Sequence, residues 1–228
     1  MKISLCLLAW NELEGCKLDL PRIPREQFDE IYAIDGGSTD GTVAYLEALG
    51  IPVYRQPKKG LNAAYIHAVE RSACDAVVVF FPKGAYRTAD LLKFRPLLEA
   101  GYDLVIASRT IADGKNEEDE RLLKPRKWAG LTLAVVSAVI WRREGRLVRD
   151  VLHGFKGFTI SAFNQMAPLD YGMSIDIEMV VRAYRLRLMR AEFPTTEMPR
   201  SYGKTHFPFF PSGLKLAKYL WHELNRKD

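Results

Sequence analysis

The sequence predicts an α/β fold in which helices flank a mostly parallel, doubly wound sheet. Strand and helix patterns alternate through the first half of the chain, which is the usual order for such a sheet. The run Ala76–Phe81 is continuously apolar and β-rich, as expected for a strand buried on both faces. Because ligands bind such sheets outside the carboxyl ends of the strands, the residues after each strand are the first candidates for a site.

The individual elements follow from short apolar runs and from 3.6-residue periodicity. The predicted strands are Lys2–Ala9, Glu30–Asp35, Ile51–Arg55, Ala76–Phe81, Asp103–Ser108, His153–Ala162 and Arg190–Pro194. The predicted helices are Asp40–Leu49, Leu61–Ser72, Thr88–Ala100, Ser174–Leu186 and Ser212–Asn225. Gly50 closes the first helix, and Ser174 is placed to cap the fourth.

Composition narrows the partners of this chain. With 228 residues and a net charge of +5, it fits one domain with an anionic partner such as a nucleotide diphosphate, a lipid phosphate or a membrane surface. No nucleic-acid-binding motif is present, so nucleic acid is not expected. The three cysteines form no CxxC pair, which favours a reducing, cytoplasmic location. No apolar run reaches the roughly 18 residues that a bilayer span requires.

The segment Asp35–Asp40 (DGGSTD) combines a strand end, two glycines and a helix start. Asp35 at the strand tip offers oxygens that can accept hydrogen bonds from a nucleobase or a ribose. The glycines let the backbone approach a ligand closely, and Ser38 and Asp40 are natural helix caps. The same pattern also fits an ordinary capped turn without a ligand.

Together with five other segments, this turn forms an ordered series along the chain. The series is Asn11-Glu12, Asp35–Asp40, Lys59–Ala64, Asp150–Phe158, Ser174–Glu178 and Arg200–Lys204. It resembles the family-2 glycosyltransferases, and among them the dolichyl-phosphate mannosyltransferase-like branch. The resemblance implies a GT-A (nucleotide-diphospho-sugar transferase) fold and inverting transfer of a sugar from a UDP- or GDP-sugar to a polyprenyl phosphate or a glycan.

The resemblance also assigns roles to residues. Residues 1–110 are expected to form a nucleotide-binding half, and residues 111–228 an acceptor half of the same single domain. The expected donor-binding residues are Asn11, Glu12, Asp35, Gly36, Gly37, Ser38, Asp40, Gly60, Lys83 and Arg109. The expected acceptor or phosphate contacts are His153, Arg200 and Lys204, and the catalytic candidates are Asp150, Asp176 and Glu178.

One departure from the family concerns the metal. The family carries two aspartates after the fourth strand, which hold Mg²⁺ or Mn²⁺ at the donor diphosphate; here Phe81 and Lys83 stand in their place. Hard cations need oxygen ligands, so no metal ligand is predicted. Either Lys83 contacts the diphosphate directly, with Arg109, Arg200 and Lys204 beside it, or metal and activity were both lost and a nucleotide- or sugar-binding protein remains. A third interpretation is that Lys83 is a solvated loop residue.

The chemical step depends on the acceptor. A hydroxyl acceptor needs a carboxylate base, whereas a lipid phosphate is already anionic and needs none. Asp176 and Glu178 lie near a helix start, where they also compensate the helix dipole. Asp150 fits acceptor positioning or a structural turn, and His153 fits a phosphate contact or a packed loop.

The apolar run Trp128–Trp141 has basic residues on both sides. As a helix it spans about 21 Å at 1.5 Å per residue, which is too short to cross a bilayer. Terminal tryptophans and flanking arginines suit a helix lying in a membrane interface. Packing on the sheet or in a dimer interface explains the run equally well.

Overall fold

The computed structural model describes residues 1–119, 122–199 and 209–226, with side chains in the last range from residue 213 onward. Within these ranges, one seven-stranded sheet has the order β3-β2-β1-β4-β6-β5-β7. Its strands are β1 Ile3–Ala9, β2 Glu30–Asp35, β3 Val53–Arg55, β4 Ala76–Phe80, β5 Leu104–Ser108, β6 Lys156–Thr159 and β7 Arg190–Pro194. All neighbours pair in parallel except β6, which is antiparallel to both β4 and β5. The predicted mixed α/β fold is confirmed.

Helices cover both faces of this sheet. They are α1 Leu13–Asp19, α2 Thr42–Ala48, α3 Leu61–Arg71, α4 Phe94–Glu99, α5 Pro125–Trp141, α6 Ile160–Met166, α7 Ile175–Arg185 and α8 Phe209–Leu224. Alternate residues of β1 enter two separate cores: Cys6 packs with residues of α3, α5, α6 and α7, and Leu5 packs with residues of α1, α2 and α4. Two-sided burial therefore explains the continuous apolar runs in the sequence.

The sequence missed or misplaced several elements. The predicted strand His153–Ala162 is shorter, because the Thr159 hydroxyl accepts a hydrogen bond from the Ala162 backbone and begins α6. The predicted helix Thr88–Ala100 is divided into a 3-10 helix, Thr88–Lys93, and α4. Pro96 explains the division, because proline fits the first turn of a helix and disrupts a helix interior. Helix α1 was not predicted.

The topology gathers the candidate residues at one edge of the sheet. The six parallel strands end there, and the antiparallel β6 begins there. The loops after β1, β2, β4 and β5, and the loop that leads into β6, therefore meet along this edge, where open α/β sheets bind their ligands. No helix among the described residues is long and apolar enough to cross a bilayer.

Candidate active site

The loops after β1 and β2 hold each other in place. The Asn11 backbone donates to the Ser38 hydroxyl at 2.8 Å, and the Asn11 side-chain oxygen accepts from the Thr39 backbone at 2.8 Å. Asp40 accepts from the Leu13 backbone at 3.0 Å, at the start of α1. Asn11 itself has a φ of 53°, a left-handed conformation that asparagine tolerates. These contacts make a fixed surface at the tips of β1 and β2, which we call the β1–β2 surface (residues 10–13 and 35–42).

Asp35 and its glycines organise the turn within this surface. The buried Asp35 carboxylate accepts hydrogen bonds from the backbones of Gly37 at 2.8 Å and Ser38 at 3.0 Å. A Cβ at Gly36 would lie 3.1 Å from the Trp10 side chain. Glu12 is also buried, and its backbone donates to a threonine hydroxyl of α2. Hydrogen bonds within the turn therefore explain much of this motif, as expected for a capped turn without a ligand. A ligand bound here would share the Asp35 oxygens with the loop.

Gly60 has a structural reason to be glycine. Its φ is +122°, and a Cβ there would lie 2.9 Å from the Gly172 carbonyl oxygen. The close contact is therefore with another loop of the same chain. The next residue, Leu61, begins α3 and lines the large cavity described below.

A cavity of about 840 Å³ opens beside the β1–β2 surface. It brings together five of the predicted residues: Lys83, Arg109, Asp150, His153 and Asp176. The predicted residues that do not line it are Asn11, Glu12, Asp35, Gly36, Gly37, Ser38, Asp40, Gly60 and Glu178. Arg200 and Lys204 lie outside the described residues. The sequence thus predicted one crevice, and the structure has two adjoining parts.

Helix α1 joins the two parts. A Cβ at Gly15 would lie 2.0 Å from the Pro82 carbonyl oxygen and 2.7 Å from the Lys83 Cα. The backbone of α1 therefore packs directly on the loop after β4. This contact holds the β1–β2 surface next to the loop that carries Lys83.

Four charged side chains form a chain along the cavity wall. Arg109 binds Asp150 through Nε and Nη2, each at 2.8 Å, and its Nη1 donates to Glu197 at 2.5 Å. The Lys83 ammonium donates to the other Glu197 oxygen and lies 4.2 Å from the centroid of the Tyr86 ring. Because the Lys83 side chain is only 15% exposed, the interpretation of a solvated loop lysine is wrong.

These four groups remain ionised. Burial raises the pKa of Asp150, but the Arg109 guanidinium outweighs it and lowers that pKa to about 2. Burial likewise opposes the charge on Glu197, and Arg109 and Lys83 hold the pKa of Glu197 well below its usual range. Burial disfavours the Lys83 ammonium, yet Tyr86 and Glu197 raise the pKa of Lys83 overall. The charges of the two cations and the two carboxylates therefore sum to zero.

Arg149, which was not among the predicted site residues, adds a positive charge at the same cavity. It is exposed, lines the cavity, and forms no ion pair with any residue in the described ranges. Two other basic residues of the lining are engaged, since Lys127 pairs with Asp119 and Arg126 lies 3.4 Å from Glu117. The signal available in the sequence was the position of Arg149 directly before Asp150.

His153 lies next to this charged chain. Its Nδ1 contacts the Ala107 carbonyl oxygen, and its Nε2 lies 4.0 Å from the nearer Glu197 oxygen. Burial, reinforced by the Arg109 charge, lowers the pKa of His153 to about 4. The ring is therefore neutral near pH 7.

Asp176 is the remaining predicted carboxylate of the cavity. Its side chain is 14% exposed and pairs with the Lys156 ammonium at 2.9 Å. The Tyr65 hydroxyl lies 3.4 Å from the same oxygen. Lys156 is fully buried and was missed in the sequence, although a lysine inside an otherwise apolar strand was the available signal.

Glu178 belongs to a buried network away from the cavity. The side chain is 0% exposed and accepts hydrogen bonds from Asn62 at 2.9 Å and from the Leu169 backbone at 2.8 Å. Arg182 pairs with it at 2.8 Å. Ser174 occupies the predicted N-cap position of α7, but its hydroxyl donates to Glu178 at 3.0 Å and makes no capping hydrogen bond to the backbone. Glu178 is fully buried and does not line the cavity, so it is not placed to act on a ligand there.

Solved structures with the same architecture define the fold. Glucosyl-3-phosphoglycerate synthase from Mycobacterium tuberculosis, in complex with Mn²⁺, UDP and phosphoglyceric acid, superposes with a TM-score of 0.75 at 17% identity, covering 100% of this chain and 80% of that chain. Its complex with Mg²⁺ and UDP gives a TM-score of 0.72 at 17% identity, with the same coverage. At this identity the likeness concerns the fold, which is the GT-A fold of glycosyltransferases.

The sequence profile described as "Glycosyl transferase family 2" matches residues 9–167. The chain belongs to this family, and the protein is a glycosyltransferase.

Characterised relatives cover most of this chain. Glycosyltransferase AglJ of Haloferax volcanii is 30% identical over 203 residues, 88% of this chain. The chain spans 65% of the length of that relative. The undecaprenyl-phosphate mannosyltransferase of Micrococcus luteus is 27% identical over 222 residues, covering 90% of this chain and 87% of that protein. The polyprenol monophosphomannose synthase of Mycolicibacterium smegmatis is 24% identical over 210 residues, covering 86% of this chain and 77% of that protein.

The residues at the tip of β4 do not fit the divalent cation found in those GT-A structures. Phe81 has no ligand atom, and the Lys83 ammonium repels a cation and occupies Glu197. Asp150, the nearest other carboxylate of the chain of charges, is engaged at both oxygens by Arg109. Among the described residues, no group of three or more His, Cys, Asp or Glu side chains is placed to hold a metal.

Proposed function

We propose that the protein transfers a sugar from a nucleotide-diphosphate sugar to a polyprenyl phosphate, with Lys83 and Arg109 at the donor diphosphate in place of a metal ion. The observation that carries the proposal is the Lys83 ammonium at the tip of β4, facing the cavity beside Arg109. The acceptor is favoured because two relatives are named for undecaprenyl-phosphate and polyprenol mannosyl transfer.

The donor would lie across the two adjoining parts of the site. Asp35, Glu12 and the glycines of the β1–β2 surface offer oxygen acceptors and close backbone approach for the nucleoside. The packing of Gly15 on Pro82 supports this route, because it holds that surface directly beside Lys83. The diphosphate would then enter the cavity at the charged chain.

The charged chain must exchange partners when the diphosphate binds. A pair of unit charges about 4 Å apart is worth roughly 4 kcal/mol at an effective dielectric of 20. Exchanging the Glu197 carboxylate for a phosphate oxygen as the partner of the Lys83 ammonium therefore costs little electrostatic energy. Arg149, which has no ionic partner in the described part of the chain, adds attraction for the incoming negative charge.

The transfer step would be a single displacement. A phosphate oxygen of the acceptor forms the bond to the anomeric carbon of the sugar, and the bond from that carbon to the diphosphate oxygen breaks. The electron pair of that bond leaves with the nucleoside diphosphate, whose charge Lys83 and Arg109 would stabilise. Asp150 has a pKa of about 2 and is a weak base, so it acts by positioning Arg109. An anionic acceptor needs no base.

A glycan acceptor would use Asp176 instead. The observation that favours it is the partial exposure of Asp176 at the cavity, beside the buried Lys156. In that case the carboxylate would take the proton of the attacking hydroxyl.

Transfer that survives chelation is the expected result of the direct test. The wild type is incubated with radiolabelled UDP-, GDP- and dTDP-sugars and undecaprenyl phosphate, with and without EDTA, and lipid-linked label is counted. Because the residues at the β4 tip are cationic and aromatic, EDTA should change the rate less than about twofold, within ordinary assay scatter. Loss of transfer in EDTA would show a metal held by other ligands. Donor binding without transfer or hydrolysis would instead indicate a catalytically silent binding protein.

We further propose that the protein acts on the cytoplasmic face of a membrane, with α5 at the lipid surface. One face of α5 packs on the core through Ala134 and Ala138. The other face is apolar and exposed, with Val139 at 75% and Trp128 at 53%, and exposed Trp221 lies on α8. Basic residues at both ends of α5 complement anionic lipid headgroups.

Charged substitutions on the exposed face of α5 should weaken vesicle binding. The double variant Val135→Asp/Val139→Asp is expected to lower co-sedimentation with phosphatidylglycerol/phosphatidylcholine vesicles by about tenfold, because it removes apolar contacts and adds repulsion. Leu92→Asp is the matched control, since Leu92 is also exposed but precedes a helix on the opposite face of the sheet. Equal binding of the double variant and the control would contradict the proposal.

A further inference from the structure

His153 has a ring nitrogen without a partner. The residue lies in the loop before β6, is 1% exposed, and lines the large cavity. Its Nδ1 contacts the carbonyl oxygen of Ala107, which can only accept a hydrogen bond. In the neutral ring the proton therefore resides on Nδ1, and Nε2 presents a lone pair.

Nothing in the described part of the protein donates to that lone pair. The His153 Nε2 atom is buried and forms no hydrogen bond. The nearer oxygen of Glu197, 4.0 Å away, is itself an acceptor. Tyr86 meets the ring edge to face at 5.1 Å between centroids. Arg109 is occupied by Asp150 and Glu197.

A buried acceptor without a donor is costly. Such a group has given up its hydrogen bond to water without gaining another, and native proteins hold few of them. Because His153 forms part of the cavity wall, a group that enters the cavity can supply the missing donor. A phosphate oxygen without a proton has nothing to donate, whereas a hydroxyl does.

We propose that His153 Nε2 accepts a hydrogen bond from a hydroxyl group of the transferred sugar and so selects the donor sugar. This inference rests on the proposed function, in which the acceptor is a lipid phosphate and offers no alcohol. The position also fits, because His153 Nε2 lies 4.0 Å from Glu197, which pairs with Lys83 and Arg109, where the diphosphate would lie. His153 is thus a specificity-determining residue next to the phosphate site.

Two substitutions distinguish the role of Nε2 from that of Nδ1 in His153. Asparagine in His153→Asn keeps a donor near the Nδ1 position, facing Ala107, but has no atom at the Nε2 position. Glutamine in His153→Gln reaches the Nε2 position with an amide oxygen. Loss of one hydrogen bond to the sugar is worth about one order of magnitude. We expect kcat/KM to fall about tenfold in His153→Asn and less than about threefold in His153→Gln.

The decisive measurement uses a series of deoxyfluoro donors. For whichever of UDP-glucose or GDP-mannose the wild type transfers, each sugar hydroxyl is replaced in turn by fluorine, which cannot donate. For one analogue of the series the wild type should lose about tenfold more in kcat/KM than His153→Asn does, whereas the inductive effect of fluorine slows both enzymes alike. A merely structural role of His153 would slow all donors alike and preserve the discrimination.

Three results would overturn the inference. The first is a wild type that tolerates every deoxyfluoro donor to within about threefold, a result that needs no variant to fold. The second is a His153→Asn variant that keeps the wild-type discrimination. The third is a wild type that binds no sugar nucleotide, which would overturn the proposed function as well. The first two leave the proposed function intact.

Discussion

Replacing Lys83 by alanine is expected to lower kcat/KM for sugar transfer by about 10²- to 10³-fold. This is the cost of removing one preorganised group that stabilises charge in a transition state. Lys83 is buried against Tyr86 and held by Glu197, so its ammonium is already positioned at the cavity wall before a ligand binds. The measurement is the initial rate of label transfer from the preferred donor, taken in EDTA so that a free metal ion does not compensate.

Two further variants define what Lys83 contributes. Lys83→Arg keeps the charge with a different shape and should retain more activity than Lys83→Ala. Lys17→Ala serves as the matched control, because Lys17 is exposed and pairs with Glu14 on the surface. A Lys83→Ala enzyme with the rate of the control would show that the ammonium does not act at the diphosphate, and the metal-substitution proposal would then fail.

Arg182→Ala is expected to destabilise the fold by about 3–5 kcal/mol, the usual cost of breaking a buried ion pair at one partner. Arg182 lies between two carboxylates, Glu178 at 2.8 Å and Glu223 at 3.5 Å, and both are almost fully buried. Its removal would leave Glu178 without a cationic partner among the residues that the structure describes. For a chain of this size the melting temperature should fall by roughly 6–20 °C.

Thermal and urea unfolding monitored by circular dichroism test this expectation. Arg25→Ala is the control, since Arg25 is exposed and should change stability by less than about 0.5 kcal/mol. Glu178→Gln is informative as well, because it keeps the shape of the side chain and removes its charge. If Arg182→Ala unfolded at the same urea concentration as Arg25→Ala, the network around Glu178 would carry no stability.

The sequence predicted the sheet well because its strands are buried on both faces. Runs such as Ala76–Phe80 have few alternatives to a central strand, and Glu30–Asp35 and Arg190–Pro194 were predicted with the observed bounds. The direction of β6 was not predictable locally, since Lys156–Thr159 has the same pattern in either orientation. Which neighbours it pairs with depends on the whole sheet.

The candidate site was only partly predictable, because some of its contacts join residues that are far apart in the sequence. Lys83 and Asp150 were visible as residues after a strand and before a glycine-rich segment. Glu197 was missed, although it connects Lys83 to Arg109, because it is 114 positions from Lys83 and follows no motif. Glu178 was predicted as a catalytic candidate because it lies in an acidic helix start. In the structure it is buried between Asn62 and Arg182 and has a structural role.

The pairing of Lys83 with Glu197 also bears on how this site could change during evolution. An aspartate at position 83 would face the Glu197 carboxylate at close range, with Phe81 still unable to bind a cation. If Lys83 replaces the metal ion as proposed, a return to an ion-dependent site would therefore require coordinated substitutions at positions 81, 83 and 197. Because Lys83 and Glu197 neutralise each other, changing either one alone leaves the other without its partner. A lineage that has acquired both residues is therefore expected to keep both.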